Sequence, residues 1–76
     1  MHYIIVAQSV GQPLPDQLEI FQDEREADGM FAGICSVYEL EEFPVSPDAP
    51  EYGLMRYAVD ECGYYSVSMY SRKIIV

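Results

Sequence analysis

The side chains able to do acid–base, nucleophilic or metal chemistry are few, and their spacing does not suit it. His2 is the only histidine, and it stands at the start of an apolar run with no second base near it in sequence. A nucleophile needs a base within hydrogen-bond reach and a third group to orient that base. None of the serines lies in a Gly-x-Ser-x-Gly turn, and no EF-hand loop, zinc-ligand spacing or glycine-rich phosphate loop occurs. Cys35 and Cys62 form no Cys-x-x-Cys pair. Two reduced, partly buried thiols are therefore expected rather than a disulfide. Adjacent carboxylates such as Glu41-Glu42 can in principle do hydrolytic work, but in an acidic loop such pairs are ordinarily solvated. These residues point to no catalytic centre and no cofactor. A binding protein is expected.

Charge says more about what would be bound. Thirteen acidic residues against four basic ones give a net charge of −9. The acids are concentrated: Asp16, Glu19, Asp23, Glu24, Glu26, Asp28, Glu39, Glu41, Glu42, Asp48 and Glu51 are opposed within residues 16–51 by Arg25 alone. The rest is nearly balanced, with Asp60 and Glu61 against Arg56, Arg72 and Lys73. Such a chain repels the phosphate lattice of nucleic acid. It is drawn instead to basic protein surfaces, steered by its summed field. The plainer reading is that the acids only keep a small protein soluble.

The elements that must position these groups fit one small domain spanning residues 1–76. A chain this short buries about 60% of the surface its unfolded form exposes. Half of its residues are hydrophobic, which excludes disorder driven by low hydrophobicity. No apolar run approaches the ~18 residues of a membrane span, and MHYIIVAQSV lacks the basic leader and cleavage site of a secretory signal; a cytoplasmic protein is expected. Residues 2–9 read as a strand, and Val10-Gly11-Gln12-Pro13 breaks it. Leu14-Pro15-Asp16-Gln17 looks like a helix start, with Pro in the first turn and Asp16 and Glu19 complementing the dipole; Leu18, Phe21 and Gln22 would share one face. Across 23–39, Ala27, Met30, Phe31, Ile34 and Tyr38 recur at helical spacing behind a capping pair, Asp23 with Glu26. Gly29 and Gly33 speak against that helix, as does the strand-like composition of 34–38.

Residues 39–51, with three of the five prolines and five acids, read as a stiffened acidic loop. Tyr52 to Val59 reads as a strand with Leu54, Arg56 and Ala58 on one face and Met55, Tyr57 and Val59 on the other. Asp60-Glu61-Cys62-Gly63 is a turn. Tyr64 to Tyr70 is the partner strand, and Ile74-Ile75-Val76 resumes apolar β composition. The sum is an α+β fold, a small antiparallel sheet of four to five strands with one short helical region packed on one face.

Three segments, in order, resemble the uracil-DNA glycosylase inhibitors of phages and related elements. Ile4-Ile5-Val6-Ala7-Gln8-Ser9 followed by Leu14-Pro15-Asp16-Gln17-Leu18-Glu19 is similar to a family pattern of an apolar strand ending in Glu-Ser, then a helix opening Leu-Pro-acidic. Ile34-Cys35-Ser36-Val37-Tyr38-Glu39 resembles the family's second strand, which ends in an aromatic and an acid before an acidic loop. Leu54-Met55-Arg56-Tyr57, a turn, and Gly63 to Ser71 resemble the closing hairpin. Asp48-Ala49-Pro50-Glu51-Tyr52 repeats a further family stretch. Under this resemblance the segment 23–39 becomes a helix ending near Asp28 and a strand after it, and that division is the one adopted.

The resemblance implies a protein mimic of DNA that blocks the glycosylase groove. The first strand would be a sheet edge sliding into that groove, with Gln8 and Ser9 at its contacting end. Gln8 stands where the family has a carboxylate, and Gln17 stands where a second acid is common beside Asp16. Glu19, Glu39, Glu41 and Glu42 would replace phosphates. Leu18, Phe21, Ile34, Met55 and Tyr57 would form an apolar pocket for the residue with which the enzyme wedges open the duplex. The implied partner is a host uracil-DNA glycosylase, met by a monomer in a 1:1 complex without direct contact to nucleic acid or membrane. An anti-CRISPR or anti-restriction protein acting on another nucleic-acid enzyme shares the electrostatics and needs neither edge strand nor pocket.

Overall fold

The computed structural model describes residues 1–45 and 53–73. Asp48, Glu51, the expected strand start at Tyr52 and the apolar segment 74–76 lie outside the described residues. The elements run β1 (His2–Ser9), β2 (Gln17–Phe21), α1 (Glu24–Tyr38), β3 (Glu41–Phe43), β4 (Leu54–Val59) and β5 (Tyr65–Arg72). All five strands join one antiparallel sheet in the order β2-β1-β5-β4-β3. The α+β class expected from the sequence is the observed one. Among the described residues no helix is long and apolar enough to cross a membrane.

β1 owes its place to alternation. Ile5 and Ala7 are fully buried against α1, opposite Met69 and Val67 of β5. Ile4 and Val6 point to the other face. Helix α1 closes the first face with Ala27, Phe31 and Ile34, spaced four and three apart, all buried. Asp23 caps its start by accepting from the Arg25 N–H at 2.9 Å, and Glu24 and Glu26 occupy the first turn. Both features satisfy the positive end of a helix. Gly29 and Gly33 lie on the exposed side, where they cost propensity but leave no gap in the core. Core residues also come from β4 and β5: Ala58, Val67 and Met69 are buried.

Three expectations are corrected. Leu14-Pro15-Asp16-Gln17 does not open a helix; Gln17–Phe21 is strand β2, in register with Tyr3 to Ala7. The alternation of Leu18 and Ile20 against Gln17, Glu19 and Phe21 supplied a period of two that outweighed the helix-start signal once β1 was available as a template. Residues 23–39 are not a short helix followed by a strand. They form the single helix that periodicity alone indicates, because the apolar stripe has a whole sheet face to cover. The acidic segment after it is also less irregular than expected, since Glu41–Phe43 pairs with β4 as an edge strand.

A β-bulge lies between Leu54 and Arg56. Leu54 aligns with Tyr70, while Arg56 aligns with Met69, so Leu54 and Arg56 do not share the face that simple alternation assigns them. Met55, at the bulge, joins the rim of the core. The second sheet face has no described element over it. Its rows read Ile20, Ile4, Tyr70, Leu54 and then Leu18, Val6, Ser68, Tyr57, Phe43.

Candidate functional site

Antiparallel pairing gathers one end of β1, β2, β3, β4 and β5 together with the C-terminus of α1. Ser9 pairs with Tyr65, Ala7 with Gln17, and Val59 with both Ser66 and Glu41. Tyr38 of α1 stacks on Tyr65, ring centroids 4.4 Å apart. This end therefore carries Asp16, Glu39, Glu41, Asp60 and Glu61. The four Lys and Arg residues are placed elsewhere: Arg25 at the start of α1, Arg56 within β4, and Arg72 and Lys73 at the opposite end of the sheet.

Local structure fixes several of these carboxylates. Ser9 Oγ donates to Asp16 Oδ2, and the Asp16 N–H donates to the Ala7 carbonyl at 2.9 Å. Asp60 Oδ1 accepts from the Tyr64 N–H at 2.7 Å, and Gly63, at φ 75°, closes the same turn with an N–H bond to the Asp60 carbonyl. Glu39 ends α1 in the left-handed region, φ 55° and ψ 48°, donating its N–H to the Cys35 carbonyl. Its side chain is left exposed, as are those of Glu41 and Glu61. Tyr64 is 68% exposed beside them. Burial, and then its hydrogen bond with Tyr38, push the Tyr65 hydroxyl above its ordinary value.

The width of this end follows from strand spacing. Five strands set ~4.8 Å apart span about 19 Å. One strand of DNA carries a phosphate every ~3.4 Å, about six over that distance. This end carries five carboxylates against those roughly six phosphates, a count close to that of a single DNA strand and well short of the duplex. Beside them lies a surface depression of about 260 Å³ lined by Gln8, Ser9, Val10, Gly11 and Ser66.

The site residues drawn from the sequence divide into three groups. Gln8, Ser9, Asp16, Gln17, Glu39 and Glu41 meet at the acidic end. Glu42 does not join them: it faces α1 and holds Arg56, Oε1 at 2.7 Å from Nη2 and Oε2 at 2.9 Å from Nε. That hydrogen-bonded guanidinium lowers its pKa, and its negative charge is neutralised within the fold. Asp28 is held by the same Arg56 at 3.2 Å. Glu19 lies mid-strand on β2, exposed on the helix side opposite Ile5.

The proposed apolar pocket does not assemble. Phe21 and Met55 pack at the rim of the core and Ile34 within it, whereas Leu18 and Tyr57 lie on the other sheet face, in one row. Nor is β1 an edge, since β2 and β5 flank it; Gln8 and Ser9 reach the surface only because they end the strand. Asp60, Glu61, Tyr38 and Tyr64 were not singled out from the sequence as site residues. Their signal, an acidic turn and an aromatic helix end, becomes legible only when pairing brings the two together. Among the described residues no group of three or more His, Cys, Asp or Glu side chains is placed to hold a metal ion. Comparison with protein-family models, curated proteins and solved structures found no match.

Proposed function

We propose that this protein binds, through its acidic strand end, the basic nucleic-acid-binding surface of an enzyme, and so blocks that surface as a decoy for nucleic acid. The observation that carries the reading is the segregation of charge: five carboxylates at one end of the sheet, with all four cations placed elsewhere. A field of this shape orients approach, so that the acidic end meets a basic surface first. The exposed Tyr38 and Tyr64 add the aromatic contact area that interfaces favour.

The resemblance makes a uracil-DNA glycosylase the first enzyme to test, as the target of an inhibitor acting from the cytoplasm of a host cell. The interior position of β1 and the divided apolar residues favour a second reading, in which the decoy is aimed at another nucleic-acid enzyme, of the restriction or CRISPR kind. Uracil release from duplex DNA, measured with and without the protein at several ionic strengths, separates them. Inhibition that weakens with salt and is lost in the triple variant Glu39→Gln, Glu41→Gln, Glu61→Gln supports the glycosylase target. Absence of inhibition at stoichiometric excess, with inhibition of a nuclease by the same end, supports the second. Binding to neither class, with the triple variant behaving as the parent, overturns both.

A further inference from the structure

Two strands end the sheet, and the chain treats them differently. β3 is three residues long, carries Glu41 and Glu42, and is followed by Pro44. Shortness, charge and proline all blunt an edge against pairing. β2 is longer, at five residues, contains neither proline nor lysine, and among the described residues pairs only with β1. Its outward N–H and C=O groups have no ladder partner among the described residues. Leu18 and Ile20 are each 53% exposed on it, and they terminate the two apolar rows of the uncovered sheet face.

We infer that β2 is a docking edge for an extended segment of a partner protein in which one basic residue stands between two apolar ones. The pleat dictates that order. Residues opposite Leu18 and Ile20 continue the uncovered face, and the residue between them falls opposite Glu19 on the other side. A sixth strand so placed takes up the free backbone groups and covers Leu18 and Ile20 together, the mode of recognition by strand addition.

Charge selects the occupant. A second copy, paired antiparallel about Glu19, would match Leu18 with Ile20 but set Glu19 against its own mate. It would also bring together two chains of net charge −9. Like charges directly opposite each other destabilise a strand pair, whereas Arg or Lys opposite Glu19 stabilises it. The inference rests on topology and holds whichever enzyme the acidic end meets, since that end comprises the strand termini and not the length of β2.

The test uses the whole chain, isotope-labelled, and two synthetic peptides: acetyl-Ser-Thr-Ile-Arg-Val-Thr-Ser-amide and its counterpart with Glu in place of Arg. Amide hydrogen exchange and chemical shifts are followed at millimolar peptide. The expected result is new protection within Gln17–Phe21, with Glu41–Phe43 unchanged, and binding of the Arg peptide roughly fivefold tighter than the Glu peptide. Glu19→Arg should reverse that preference. Glu19 is exposed, and unchanged amide shifts in Tyr65–Arg72 check that the variant is folded. Three outcomes overturn the inference: no protection of β2 by either peptide, a preference unaffected by Glu19→Arg, or protection of β2 that grows with protein concentration alone, which would assign the edge to a second copy.

Discussion

Replacing Arg56 with methionine removes the guanidinium that ties α1, β3 and β4 together while keeping most of its aliphatic stem. Arg56 lies 3.2 Å from Asp28 and 2.7 Å from Glu42, whose side chains are 47% and 43% exposed. At that exposure each pair is discounted for solvent screening to about 0.5 kcal/mol. The guanidinium carbon also sits 4.3 Å from the centroid of Phe31, a cation–π contact of roughly 1 kcal/mol in a partly desolvated setting. The three contributions give about 2 kcal/mol, which in a domain of this size lowers Tm by about 10 °C. Urea unfolding of the parent, Arg56→Met, Glu42→Gln and the double variant measures both the loss and the coupling between the two side chains. A loss below about 0.5 kcal/mol, or additive single effects, would refute the claim that this cation fastens the helix to the sheet.

Three more outcomes follow from the same geometry. Arg56 holds the Glu42 carboxyl below its ordinary value of 4.5, so the pair's contribution is fully present above that value and is lost as pH falls through the lowered one; the stability gap between the parent and Arg56→Met should narrow on acidification below about pH 4.5, as thermal melts at stepped pH would show. Cys62 is exposed, whereas Cys35 is half-buried and its thiol is pushed up by burial and then by Glu42; a thiol reagent at neutral pH should label Cys62 first, and equal rates would contradict the packing of α1. Glu39→Gly should raise stability by about 0.5 kcal/mol, because glycine adopts the left-handed helix end without strain, yet weaken binding by removing one exposed carboxylate; a variant that is more stable and binds equally well would place Glu39 outside the interface.

The parts of the fold legible in the sequence were those fixed by local pattern. The alternation of residues 2–9 and of Tyr65, Val67 and Met69, and the glycine turn at Gly63, depend on nothing distant. The stripe of Ala27, Phe31 and Ile34 was equally plain; the family resemblance displaced a correct period with an incorrect division. β2 was misread because Pro15 and Asp16 suit a helix start as well as a strand entry, and only β1 decides between them. The bulge at Met55 could not be read, since it exists only relative to the register of β5. The acidity of the site was visible, but its membership was not. Asp28 and Glu42 are removed from it by Arg56, 28 and 14 residues away in sequence, and sequence spacing carries no sign of that pairing.

Under the proposed function, the distribution of the four cations is what distinguishes a binding surface from one that only confers solubility. A chain that used carboxylates only for solubility would lower its self-repulsion by interspersing charges of both signs, as most surfaces do. The far end of the sheet carries charges of both signs, with Asp23, Glu24, Arg25 and Glu26 at the start of α1 and Arg72 and Lys73 at the end of β5, and within the helix–sheet seam Arg56 pairs with Asp28 and Glu42. At the opposite end Asp16, Glu39, Glu41, Asp60 and Glu61 have no such relief, although a lysine in the exposed turn beside Glu61 would supply it without disturbing any buried contact. Under the proposed function, a positively charged partner surface supplies the counter-charges that this end lacks.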